Sequence, residues 1–248
     1  MNTKFYSQVI EELNKDTEIN HALKVAKKLT FKGNNHDIIK NIHLKYSTTA
    51  QKLAIEVSNS HSLLKEIITL NFPNDFDFSY TPGNAKKKNT YTTDAYPNFN
   101  KIIPSSFNSE VFFDINPSVL FYQLKGMLQA ITSQLFFKHT KEKSLVLNLR
   151  LEDGRLWLTP KSPLVKPENH HLLNFSAAVP AEYEHRFKYY EYNLDPNELL
   201  NALEAFKDYE KIEFYAMDNI LRPIKLVKYI GTDPRVTSVI APIRINNE

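Results

Sequence analysis

Stretches in which apolar and polar residues alternate are interleaved along this chain with stretches in which apolar residues return every three or four positions. Lys4 to Leu13 places Phe5, Val9, Ile10 and Leu13 on one helical stripe, and Asp16-Thr17 breaks or caps it. A second helix is predicted from about Asn20 to Leu29, with Ala22, Leu23, Val25, Ala26 and Leu29 available for a core. Asp37 to Ile42, Ile42 to Thr48 and Leu53 to Val57 read as strands, the last two alternating across a turn at Thr48 to Gln51. Ser62 to Leu70 satisfies both periods. Residues 71–95 are polar and turn-rich, carry the run Lys86-Lys87-Lys88, and read as a long loop or linker.

Beyond that loop Glu110 to Ile115 is a strand, and Asn116-Pro117 supplies a cap and a first-turn proline for a helix running to about Phe137. Leu145 to Leu151 and Gly154 to Pro160 form a hairpin around Glu152-Asp153-Gly154, where glycine accepts positive φ. Leu172 to Val179 adds a strand. The pattern then restarts with a strand at Phe187 to Leu194, a helix at Pro196 to Lys207 opened by Asp195-Pro196, and strands at Lys211 to Ala216, Ile220 to Tyr229 and Val236 to Ile245. Strand, helix and three strands, twice over, make an internal repeat of about seventy residues. The fold class is therefore α+β, with the helices on one side of antiparallel sheets. The last stretch, VTSVIAPIRI, is rich in β-branched residues, but Pro242 cannot donate a ladder hydrogen bond. Ala241 to Ile243 is thus expected at a sheet edge or past the last pairing, with Ile243 and Arg244 close to solvent. By itself the segment reads as a C-terminal edge strand.

Composition narrows the chemistry. At 248 residues, with 42% apolar and 24% charged side chains, the chain has enough material for a sizeable core and no apolar run long enough to span a bilayer. The N-terminus, MNTKFYSQVIEEL, lacks the basic start and apolar core of a secretory signal, and there is no cysteine, so a cytoplasmic location is expected. The 5 glycines build neither a G-x-G-x-x-G nor a Walker loop, and no H-E-x-x-H or G-x-S-x-G is present. His170-His171 are adjacent, point to opposite faces of any strand, and do not chelate together, so neither a metal nor a cofactor is expected. A net charge of +3 does not by itself indicate nucleic acid. Distribution matters more: Lys24, Lys27 and Lys28 fall together at i, i+3 and i+4, which suits either a solvated face or a phosphate-facing one.

Several segments resemble one known family in its own order. Asn193 to Phe206 (NLDPNELLNALEAF) carries Leu199, Leu200 and Leu203 in an ELLxALxxF pattern, Ile212 to Leu226 carries Asp218 followed by Arg222-Pro223, and the last strand ends in Pro242-Ile243-Arg244. Together these resemble the closing third of the bacterial DNA polymerase III β subunit, the sliding clamp. Tyr96 to Pro104 is similar to that family's crossing between domains, and Leu53 to Leu64 resembles its segment ending in H-R-L, although Asp-Gly-His-Arg there becomes Asn59-Ser60-His61-Ser62. The resemblance implies the DNA-clamp fold of repeated βαβββ units. It divides the chain into a reduced clamp-like domain at 1–95, with the loop at 71–95, and a complete one at 96–248. The N-terminal part holds one recognisable unit, whereas the family's bacterial members carry three full domains.

What the resemblance implies for function is equally specific. Sliding clamps are non-catalytic rings that encircle double-stranded DNA, and sliding calls for sequence-independent contacts to the phosphate backbone. The matching DNA-facing candidates are Lys24, Lys27, Lys28, Lys125, Asn201 and Lys207. The family's second site takes short peptide motifs of the DNA polymerase and clamp loader. Its matching positions are His61, Leu63, Pro97, Lys101, Ile102, Val239, Ala241, Pro242, Ile243 and Arg244, with Arg222 and Pro223 near the wall. An apolar groove with a charged rim suits a motif in which a few anchors supply most of the energy. Two domains per chain imply a homo-oligomeric ring closed as a trimer. The alternative reading is a non-ring protein-interaction module, a clamp decoy or regulator on the same fold; an enzyme of unrecognised class stands third.

Overall fold

The computed structural model describes residues 17–31, 42–47, 51–58, 62–69, 111–133, 145–161, 177–183, 190–216 and 223–243. The predicted helix at Lys4 to Leu13, the loop at 71–95, the crossing at Tyr96 to Pro104 and the division at 95–96 lie outside them. Helix α1 spans Thr17–Phe31 and is followed by β1 (Ile42–Ser47), β2 (Lys52–Ser58) and β3 (Ser62–Thr69). The first repeat is β4 (Val111–Ile115), α2 (Pro117–Ser133), β5 (Val146–Glu152), β6 (Arg155–Lys161) and β7 (Ala177–Tyr183). The second is β8 (Tyr190–Leu194), α3 (Pro196–Leu203), β9 (Ile212–Ala216), β10 (Ile224–Ile230) and β11 (Asp233–Ile240). Among the described residues no helix is long and apolar enough to cross a membrane.

Local chemistry accounts for these elements. Asp195 caps α3, its carboxylate accepting from the N–H of Asn197 at 2.8 Å, with Pro196 in the first turn. Asn116 does the same for α2, accepting from the N–H of Val119 at 3.0 Å. Asp153 (φ 50°) and Gly154 (φ 71°) form the two-residue turn between β5 and β6. The stretch that fitted two periods is a strand, because Leu64, Glu66 and Ile68 are buried while Lys65 and Ile67 are only half-buried.

The eleven described strands form one antiparallel series in the order β1-β2-β3-β11-β10-β9-β4-β7-β6-β5-β8. The two repeats exchange their opening strands. β4 pairs with β9 of the second repeat, Phe113 stacking on Phe214 with ring centroids 4.4 Å apart, while β8 pairs with β5 of the first. A short ladder of β4 on β7 joins the two halves on one side. On the other, the N–H of Ile243 donates to the carbonyl of Asn193 at 2.8 Å. Helix α3 packs on both α1 and α2, and one apolar core runs from Ile19, Ala22 and Val25 through Leu120 and Leu124 to Leu199, Leu203 and Phe206.

Two expectations need correction, one in α3 and one in β11. β7 is described from Ala177, the part of its expected span at 172–176 lying outside the described residues, and it runs through Pro180. The proline is tolerated because the next N–H, that of Ala181, faces the neighbouring strand and donates to Gly154, so the missing donor points away from that ladder. Helix α3 stops at Leu203 and continues as turns rather than helix to Lys207. Finally, β11 is not an edge strand: it starts at Asp233, ends at Ile240 and lies between β10 and β3.

Because Phe206 is fully buried in the apolar core, Phe206→Ala is expected to cost about 3–5 kcal/mol. Asp195→Ala, which removes only the cap, costs about 1 kcal/mol; denaturant unfolding with unchanged m-values measures both.

Candidate functional site at the joint of β3 and β11

The strand on which the two parts of the chain meet is β11. On one side it pairs with β10, and on the other with β3, where Val236 lies opposite Glu66, Ser238 opposite Leu64 and Ile240 opposite Ser62. Side chains reinforce this ladder. The Ser62 hydroxyl donates to the Glu198 carboxylate of α3 at 2.6 Å, and the Ser238 hydroxyl donates to the Leu63 carbonyl at 3.1 Å.

Paired residues of an antiparallel ladder share a face, so register alone lines up Tyr215, Lys225, Val239 and Leu63 in one row across β9, β10, β11 and β3. The neighbouring positions Phe214, Leu226, Ile240 and Leu64 enter the core, which puts this row on the opposite face of the sheet. Leu63 and Val239 are each 4% exposed. The Lys225 ammonium sits 5.3 Å from the Tyr215 ring centroid, and burial holds its pKa below the ordinary lysine value against the pull of Glu213. The Tyr215 hydroxyl donates to the Glu213 carboxylate; burial first, and that bond second, push the phenol well above its usual range.

This row coincides with part of the peptide pocket implied by the resemblance. Leu63 and Val239 are brought opposite one another. Pro223 and Ala241 are the next residues past the last pair, Ile224–Ile240, and with Pro242 and Ile243 they are partly exposed. His61, Pro97, Lys101, Ile102, Arg222 and Arg244 lie outside the described residues. Lys225 and Tyr215 were missed in the sequence. Alternation along β9 and β10 assigns them a face but not a neighbour, and only the three-strand register sets them beside Val239.

On the helical side the predicted lysines fare differently. Lys24 on α1 and Lys125 on α2 are exposed, the latter's ammonium 5.7 Å from the Phe121 ring centroid. Lys27 and Lys28 lie on α1, but their side chains are outside the described set. Lys207 is engaged within the fold: its ammonium donates to Glu204 at 2.7 Å, a bond that raises its pKa, and it lies 5.9 Å from the same Phe121 ring. Asn201 corrects the expectation outright. It is 5% exposed, because α3 is held between α1 and α2 and its Asn201 side turns inward. The outward residues of α2 are Val119, Tyr122, Gln123, Lys125, Gly126 and Gln129, so Lys125 is the single charge on that face.

Neither a protein-family model nor a curated protein sequence matches this chain. Solved structures do. The Caulobacter crescentus β sliding clamp is 14% identical with a TM-score of 0.58, the alignment covering 91% of this chain and 64% of that one. The DNA polymerase III β chain of Streptococcus pneumoniae is 16% identical with a TM-score of 0.55, covering 91% and 63%. The Helicobacter pylori β clamp is 12% identical with a TM-score of 0.59, covering 92% and 64%. The chain therefore has the fold of bacterial sliding clamps and spans less than two thirds of the length of these proteins.

Burial separates the two ends of the row. Val239→Asp places a carboxylate at a closed position of the joint and is expected to destabilise by more than about 2 kcal/mol. Ile243→Asp, partly exposed and bonded through its backbone, stays within about 0.5 kcal/mol of the parent in thermal or denaturant unfolding.

Proposed function

We propose that this chain is a non-catalytic, clamp-like accessory protein of DNA replication, acting in the cytoplasm. It contacts double-stranded DNA through the phosphate backbone without reading bases, and it takes short peptide motifs of a polymerase or loader on the opposite face of its sheet. The observation that supports this best is the β3–β11 joint, which carries one sheet from the N-terminal strands into the repeated part while the helices stay on one side. A wall built in this way leaves its helical side available to a duplex and its outer side to partners. Lys24, Lys27, Lys28 and Lys125 supply the phosphate contacts; Leu63, Val239 and the run Ala241 to Ile243 supply apolar anchors, with Lys225 at the rim. Copies of the chain join into a homo-oligomeric ring, a trimer under the division at 95–96.

A second reading, a non-ring module that captures clamp-binding peptides or caps a clamp, is favoured by one observation. Of the DNA-facing candidates with described side chains, Asn201 is buried and Lys207 is bonded to Glu204, which leaves Lys24 and Lys125 exposed.

A ring predicts retention on closed circular DNA that is lost when the DNA is linearised; equal retention on both forms overturns encirclement and leaves the module. If Lys24 and Lys125 touch phosphate, Lys24→Gln with Lys125→Gln lowers the slope of log K against log salt by about 2, measured by fluorescence titration. For the peptide site, Ile243→Asp abolishes binding of a fluorescent clamp-binding peptide with the fold intact, and unchanged binding removes Ile243 from the assignment.

A further inference from the structure

One acid at the joint is used by none of the contacts described so far. Glu66 of β3 is 5% exposed, and its Oε2 has no hydrogen-bond partner. Its ladder neighbours are apolar, Val236 on β11 and Ile55 on β2, and its side chain lines a cleft of about 270 Å³ beneath α1. Among the described residues, Arg235 lines the same cleft and is the cation that acts on it. In the β10–β11 hairpin Lys228 pairs with Val236 and Tyr229 with Pro234, so Arg235 is the extra residue of a bulge, and its side chain turns to the helical side. There its guanidinium donates to the carbonyl of Ile67 and to the carboxylate of Glu18, and it faces the Tyr209 hydroxyl, whose pKa it pulls down against burial.

We propose that the β3–β11 joint is a proton-dependent hinge, closed while Glu66 carries a proton and loosened when that carboxyl ionises. Arg235 already serves two acceptors, one on β3 and one on α1, and so only partly offsets a buried charge on Glu66. The other groups facing the cleft do not supply a second buried cation. His21 of α1 is partly exposed with its Nε2 4.0 Å from Asp208, which is itself exposed; burial raises the pKa of Tyr209; and Lys228 of β10, on the same face two strands from Glu66, is turned over the Tyr209 ring and donates to the Lys211 carbonyl.

Burial is the largest influence on Glu66, raising its pKa from 4.5 to about 7; Arg235 pulls it down and Glu18 pushes it up. The direction of the linkage follows. A closed joint holds the proton to higher pH than an open one, so the stabilisation is complete below 4.5 and is lost as pH rises through about 7. Parting β3 from β11 wets Glu66 and releases Arg235, so the free energy is recovered by local opening at the joint and not by distant strands.

Amide hydrogen exchange on the full chain, corrected for intrinsic rates, tests this between pH 5.5 and 8. Protection of the β3 and β11 amides is expected to fall by at least about tenfold across that range while β5 and β6 amides hold steady, one unit of pKa corresponding to a factor of ten. Glu66→Gln flattens the profile. The exposed Glu18 offers a variant that leaves the core intact: Glu18→Gln moves the midpoint to lower pH, and Arg235→Gln moves it to higher pH. A profile with no pH dependence at the joint, one shared equally by β5 and β6, or a midpoint unmoved in Glu18→Gln overturns the hinge.

Discussion

The pairing of β3 with β11 is the constraint from which the other features of the molecule derive. A C-terminal strand left unpaired would present a row of free N–H and C=O groups to water and to other strands. Here that row is consumed by Ser62 to Glu66, and the ladder ends at Ile240, two residues before Pro242, which has no N–H to give. Both candidate surfaces are the two faces of this one pairing. The apolar row with Leu63 and Val239 lies on the outside, and the Glu66 cleft lies beneath the helices.

Strand exchange between the two repeats explains why the helices are arranged as they are. With β4 given to the second half and β8 to the first, neither repeat can bury its helix alone, and α2 and α3 must pack on each other in the space between. That packing is good for the core and poor for electrostatics. It turns Asn201 inward and draws Lys207 to Glu204 and the Phe121 ring, so the helical side presents fewer exposed cations than its sequence suggests.

A single extra residue has effects out of proportion to its size. Without the bulge after Lys228, alternation would put Arg235 on the outer face with Thr237 and Val239. With it, the guanidinium reaches α1 and β3 together and becomes the neighbour of a buried acid. The same bulge therefore helps fasten the joint and leaves Glu66 incompletely compensated.

Most elements were legible from periodicity and caps. The strand–helix–three-strand order, the Asn116 and Asp195 caps and the Asp153-Gly154 turn are local properties, set by side-chain spacing, a carboxylate or amide within reach of an N–H, and a tolerance for positive φ. The resemblance also named Leu63, from the segment Leu53 to Leu64, and Val239, from the last strand, which the fold does bring opposite one another. What the sequence could not contain is which strand lies beside which. Whether β11 is an edge, whether Lys225 neighbours Val239, and whether Arg235 meets Glu66 depend on partners distant along the chain, 14 residues away for Lys225–Val239 and 175 for Ser238–Leu63. Those pairings were decided when two repeats and an N-terminal sheet buried their apolar faces against one another, because a face is specified by alternation but its neighbour only by the packing of the whole.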